Sequence, residues 1–325
     1  MIMLLTVLAC VLPTLVYVGL IYAADSYEKE PLWLLTAVFI WGAIPAVVLT
    51  IVASTFVSGL FDAVVGREWQ SLTAAVLLAP VVEETLKGAA LLGIILWRRH
   101  EIDTVLDGII YGTMVGMGFA MVENAFYFTS EYQSGGLSAW AVNVFFRAFI
   151  FGLNHALFSS LFGLGIAAAL LSRRELVRTL APVVGWTLAV FLHFIHNLTV
   201  GTASVLCLIA PLTDWGGVLL MLTIIGWAVR QERVWLQTYL VAELRDGSLT
   251  FSQYELISDV SKRRRYLLDL ILRGEFGRYL AARRFLNLCS KLAYQRHHAA
   301  VHKNHIHHPE IDFLREEIRE ASRVL

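Results

Sequence analysis

Apolar residues in this chain run in long blocks instead of alternating or recurring on one helical face. Seven blocks stand out, at 1–23, 32–58, 71–97, 105–129, 140–171, 180–209 and 214–230. A helix needs about 20 apolar residues to cross a bilayer, and the blocks match that length. The pattern predicts an all-α fold, a polytopic membrane bundle of about seven transmembrane helices. Beyond residue 230 the chain turns charged and periodic, as in Phe313-Leu314-Arg315-Glu316-Glu317-Ile318-Arg319. This predicts a multi-pass domain over 1–230 and a helical cytoplasmic tail over 231–325. Asp246-Gly247-Ser248 and Gly274 are the expected breaks between tail helices.

Composition supports this picture. The chain is 57% hydrophobic and 16% charged, where soluble domains carry roughly 25% charged residues. Twenty-six basic and 26 acidic residues leave no net field, so no nucleic-acid partner is expected. Cys10, Cys207 and Cys289 suggest neither a disulfide framework nor a zinc spacing. The first block lacks a basic leader and is long for a signal peptide, so it is read as a span. Arginines follow the third, fifth and seventh blocks (Arg98-Arg99, Arg173-Arg174, Arg230), whereas 130–139 holds no Lys or Arg. By the positive-inside rule, the protein is a multi-pass cell-membrane protein with a cytoplasmic C-terminus.

Ionisable residues interrupt four of the blocks: Glu83-Glu84 with Lys87, Glu123-Asn124, His155, and His193 with Asn197. Each costs a few kcal/mol at bilayer depth, which marks a functional site by default. At 1.5 Å per residue, the Glu pair, His155 and His193 all fall near the midplane, with Glu123 one or two turns further out. Lys87 shares a face with both glutamates, and pairing favours an ionised carboxylate suited to take a proton from water. His193 and Asn197 also share a face and suit an oxyanion or a positioned water. The plain alternatives are a buried structural ion pair and polar cross-links between helices. Arg147 is expected to snorkel to headgroups, with pairing to Glu123 as the alternative. Gly112-x-x-x-Gly116 reads as a close-packing motif, and Pro80 as a point where the helix opens.

In the tail, His298, His302 and His305, within a cluster that includes His297, His307 and His308, fall on one helical face. They read as a possible chelating set or simply as a solvated stretch. The basic run 262–265 reads as a contact for anionic lipid.

Four motifs in order, Glu83-Glu84-Thr85-Leu86-Lys87, Phe119-Ala120-Met121-Val122-Glu123-Asn124, the Asn-His-Ala-Leu-Phe-Ser stretch at His155, and His193-Phe194-Ile195-His196-Asn197, resemble the PrsW family of bacterial intramembrane proteases. Those are distant relatives of the CAAX prenyl endopeptidases and bacteriocin-processing enzymes. The acidic turn Asp25–Pro31 is also typical, and the resemblance covers about residues 1–230. The basic partner is Lys87 rather than the Arg of the CAAX branch, and Glu123 stands where that branch has histidine. Both departures favour the PrsW branch.

The resemblance implies cleavage of a membrane-tethered, single-pass protein substrate within the lipid bilayer, in the pattern of a first cut in an anti-sigma factor. It implies that Glu83 and Glu84 activate water, Glu123 assists, Asn197 stabilises the oxyanion, and Lys87 and Asn124 support. It implies that His155 and His193 orient the water or, with Glu84, bind a divalent metal such as zinc; a metal-free glutamate base remains open. Two other classes stand beside this reading: an ion or metal transporter, and a non-catalytic scaffold or immunity protein. No duplicated halves of the transporter type are seen, and no His-Glu-x-x-His helix is present.

Overall fold

The computed structural model of the 325-residue chain describes residues 1–65, 74–201, 205–302 and 309–322. Every regular element among them is helical. In order these are α1 (Ile2–Ala24), α2 (Leu32–Trp41), α3 (Val47–Val65), α4 (Ala79–Arg98), α5 (Val105–Val144), α6 (Asn154–Leu171), α7 (Glu175–Gly201) and α8 (Ile209–Tyr239). The tail adds α9 (Val241–Arg245), α10 (Phe251–Ser258), α11 (Val260–Leu272), α12 (Phe276–His302) and α13 (Pro309–Ser322).

Prolines and glycines set the breaks. Pro45 lies in a π-helical turn, Gly42–Ala46, that joins α2 to α3. A second π-helical turn, Ala74–Leu78, comes just before Pro80 in the first turn of α4. Proline cannot donate to the α-helical ladder, and a wider turn absorbs the missing bond. Helix α5 opens on a capping box: Asp107 N–H donates to Thr104 Oγ1 at 3.3 Å, and Thr104 N–H donates to Asp107 Oδ2 at 2.7 Å. It kinks at Gly136 (φ 70°) and runs through the π-helical turn Phe145–Ile150 toward α6.

The blocks expected at 105–129 and 140–171 are therefore one kinked helical stretch of 67 residues, Val105–Leu171. Counted this way, five helical stretches among the described residues have the length and apolar composition to cross a membrane. Helix α4 is outside that count, and it carries Glu83, Glu84 and Lys87 along its length. Residues 71–73 of the third expected block lie outside the described residues.

The chain forms two compact units, one of Met1–Ala23 with Glu30–Ile225, the other of Ala24–Lys29 with Gly226–Leu325. In the first, residues 106–120 of α5 are buried without interruption. A side chain at Gly108, Gly112 or Gly116 would run into the backbone carbonyl of Gly163, Ser159 or His155 respectively. Helices α5 and α6 thus meet main chain to main chain along a small-residue seam. In the second unit, Leu236, Leu240, Ile257, Phe285, Leu292 and Ile318 form a core into which Tyr27 inserts. Its helices break at Gly247 (φ 79°) and Gly274 (φ 72°).

Candidate active site

Four elements of the first unit bring ionisable groups to one place. Helix α4 contributes Glu83, Glu84 and Lys87, α5 contributes Glu123 and Asn124, α6 contributes His155 and Ser159, and α7 contributes His193. Lys87, fully buried, donates to Glu84 Oε1 at 2.8 Å, to Glu83 Oε2 at 3.4 Å and to His155 Nδ1 at 2.9 Å. His193 Nδ1 lies 2.9 Å from Glu84 Oε1, and its Nε2 lies 3.8 Å from Glu83 Oε2. Ser159 Oγ donates to Glu84 Oε2 at 3.0 Å. His155 Nε2 lies 2.9 Å from Glu123 Oε2.

These partners assign the imidazole protons. An ammonium only donates, so His155 Nδ1 accepts from Lys87 and the ring proton sits on Nε2, given to Glu123. Glu84 takes the Nδ1 proton of His193, which leaves Nε2 of that ring toward Glu83. Aromatic faces fix the groups in place: Lys87 Nζ sits 4.0 Å from the centre of the Phe119 ring, and Phe158 stacks on His193 at 4.9 Å.

Arg147 takes the second of its two readings, pairing with Glu123 and not snorkelling. It donates to Glu123 Oε2 at 2.5 Å and to Asn124 Oδ1 at 2.8 Å. The kink and the π-helical turn bring residue 147 back along α5, and a guanidinium is better satisfied by a carboxylate and an amide than by a lipid headgroup. Glu123 is likewise within reach of the site through His155, although it was expected one or two turns away. Asn197 is half-buried one turn beyond His193 on α7.

The roles of two residues escaped the sequence reading. Ser159 follows His155 by one turn on α6 and completes the hydrogen bonding of Glu84. Asp214, at the boundary between two expected spans, accepts from Asn154 Nδ2 at 2.8 Å and pairs with His196 Nδ1 at 2.8 Å. It ties together α6, α7 and α8 next to His155 and His193. Its place as a lone acid between two apolar blocks was the only available signal.

The donor chemistry fits a metal. One atom each from Glu83, Glu84, His155 and His193 converge within 4.8 Å of one another, and mixed carboxylate and imidazole donors are the usual zinc set. Three carboxylates (Glu83, Glu84, Glu123) face two fixed cations (Lys87, Arg147), so the cluster has room for one further positive charge. In this structure Lys87 Nζ engages three of these four residues, Glu83, Glu84 and His155.

The tail's histidine cluster gives less. Residues 303–308, with His305, His307 and His308, lie outside the described residues, as does the side chain of His302. His297 stacks on Trp235 at 4.0 Å. Within the basic run, Arg263 is a core residue, donating to the Tyr27 carbonyl at 2.6 Å and to Ser290 Oγ at 3.2 Å.

Comparison with known proteins agrees with the geometry. The chain is 28% identical over 209 residues to Protease PrsW of Oceanobacillus iheyensis, covering 62% of this chain and 86% of that protein. It is 29% identical over 127 residues to Protease PrsW of Clostridioides difficile, covering 39% and 52%. It is 30% identical over 122 residues to Protease PrsW of Shouchella clausii, covering 37% and 53%. The chain thus spans about half the length of two of these curated relatives. No solved structure matches the chain closely enough for comparison. The family profile described as PrsW family intramembrane metalloprotease matches residues 30–228, more than half of the chain, and the chain belongs to that family.

Proposed function

We propose that this multi-pass membrane protein is an intramembrane endopeptidase that hydrolyses a peptide bond of a membrane-tethered, single-pass protein, making a first cut such as that in an anti-sigma factor. The observation that carries the reading is the convergence of Glu83, Glu84, His155 and His193, from three separate helices, in the middle of apolar sequence. A structural ion pair needs matched charges, whereas this cluster holds an excess carboxylate. The arginines after the third, fifth and seventh blocks support a cytoplasmic C-terminus.

Each residue has a part that follows from its contacts. Glu83 is the carboxylate held least tightly, at 3.4 Å from Lys87, and serves as the base that takes a proton from water and returns it to the leaving amine. Glu84 is pinned by Lys87, His193 and Ser159 and orients the imidazole. Arg147 holds Glu123, which fixes the tautomer and direction of His155. Asn197 supplies an amide donor for the developing oxyanion. His155, His193 and Glu84, with Glu83 alongside, would hold a divalent metal such as zinc. When bound, that metal polarises the scissile carbonyl and acidifies water. The donors it would use are the ones Lys87 now engages, so ammonium and metal compete for them. That competition favours a second reading, a glutamate base working with Lys87 and no metal.

The test is cleavage of candidate single-pass membrane proteins by purified wild type and Glu84→Gln, in detergent, with and without a chelator. Loss of cleavage in the variant is expected, with the folded elution profile retained. Chelator sensitivity selects the metal reading. A variant that cuts as fast as wild type sinks the mechanism.

A further inference from the structure

Helices α11 and α12 of the second unit form an antiparallel hairpin. Arg263 on α11 reaches Ser290 on α12 at 3.2 Å, with the turn between them at Gly274. The turn is closed by bonds from Gly274 N–H to the Ile271 carbonyl and from Glu275 N–H to the Leu270 carbonyl, at 3.0 and 2.9 Å. This is the glycine-terminated helix end known as a Schellman motif.

The tip of this hairpin has an unusual surface. Leu272 is 78% exposed, Phe276 63%, Leu280 62% and Leu268 55%, with Ile271 beside them at 40%. Leu268, Ile271 and Leu272 share a face of α11 at i, i+3 and i+4, and Phe276 and Leu280 share a face of α12. One turn behind the apolar tip on each arm comes positive charge. Arg264 and Arg265 precede Leu268 and Arg284 follows Leu280 by four residues; all three are exposed, with Arg264 also donating to Ser26 Oγ at 3.0 Å and Arg284 pairing with Glu317 at 2.9 Å. From Lys262 to Arg284 the sequence holds eight basic residues and two acidic ones, Asp269 and Glu275. Those two acids are already taken by Arg273 and Arg278, at 2.9 and 2.7 Å.

Apolar residues at the end of a hairpin, with arginines one turn back on both arms, match the layering of a lipid interface: acyl chain first, then phosphate. An apolar tip with arginines on both arms matches the charge and polarity order of an anionic lipid surface. We infer that the α11–α12 tip inserts into the surface of an anionic bilayer, with Leu272 and Phe276 below the phosphates and Arg264, Arg265 and Arg284 at their level. The patch makes the second unit a lipid-binding module in its own right, sensitive to the charge of the leaflet it faces.

The full-length chain, reconstituted in nanodiscs, tests this with an environment-sensitive fluorophore on Leu272→Cys in a Cys207→Ser background. Cys10 and Cys289 are buried and stay unlabelled. The comparison site is Glu320→Cys, on the exposed face of α13. In discs containing phosphatidylglycerol, the label at 272 should shift to the blue and be quenched at least about twofold by a lipid-attached quencher, while that at 320 is not. Pure phosphatidylcholine discs, or the added pair Arg264→Gln and Arg265→Gln, should remove most of that quenching. So should about 1 M salt, where the Debye length falls to about 3 Å. A solvent-like label at 272 in both lipids overturns the proposal. Equal quenching in neutral and anionic discs overturns the role given to the arginines. Efficient disulfide linkage of two unlabelled Leu272→Cys chains assigns the tip to a second copy and also overturns it.

Discussion

The two units bury charge in opposite ways. In the second unit, the Glu243 carboxylate is held by two guanidiniums: Arg296 donates at 2.6 and 2.9 Å, and Arg315 at 3.1 Å. Arg315 also pairs with Asp312 at 3.3 Å, so two acids meet two bases, both Glu243 oxygens are satisfied, and three helices are fastened. In the first unit, three carboxylates share two fixed cations, and the surplus lies beside two imidazoles. The first arrangement has nothing left to react; the second does not balance until a proton or a metal joins it. Buried charge is a poor guide to function until donors and acceptors are counted. Counting separates the fastening from the proposed site.

That contrast is open to direct tests. Glu83→Gln removes the surplus acid; peptidase rate should fall by at least about 10²-fold, with no loss of melting temperature, because a buried charge is deleted. A drop in melting temperature comparable to the activity loss would recast the cluster as structural. Glu243→Ala should do the reverse, destabilising the second unit by about 3 kcal/mol through two stranded guanidiniums. Hydrogen exchange of the α12 amides reads that loss, and the rate per folded molecule should be unchanged. Gly116→Ala should cost about 1–3 kcal/mol by forcing α5 from α6, with activity falling in parallel because the obstacle is the backbone of His155. Ser159→Ala is the smallest change. Losing one hydrogen bond to Glu84 costs about 1 kcal/mol, seen as a few-fold fall in rate with little movement of the melting curve.

The parts of this structure that depend on local spacing were readable from the sequence. Glu83, Glu84 and Lys87 sit within one helical turn, and their pairing needs only helix geometry. Coincident depth put His155 and His193 near that trio before any fold was available. The pairing of Arg147 with Glu123 could be named from charge but not chosen over snorkelling, because it crosses a kink at Gly136 and a π-helical turn that helical periodicity does not show. Asp214 reaches partners 18 and 60 residues away, and no local pattern links them. Arg263 was a nearer miss. It shares a helical phase with Leu267 and Leu270, which marks the core-facing side of α11, yet the run of four cations hid that phase.

The glycine seam between α5 and α6 also bears on how the protein can be pried open. At the level of His155 the two helices touch through main chain, so no rotamer change can lend slack there. Further along, α6 and α7 also meet main chain to main chain, at Gly165 and Gly185, whereas α4 reaches the site through the side chains of Glu83, Glu84 and Lys87. Two backbone seams leave α5, α6 and α7 as a fixed frame, and α4 is the helix whose side chains can yield.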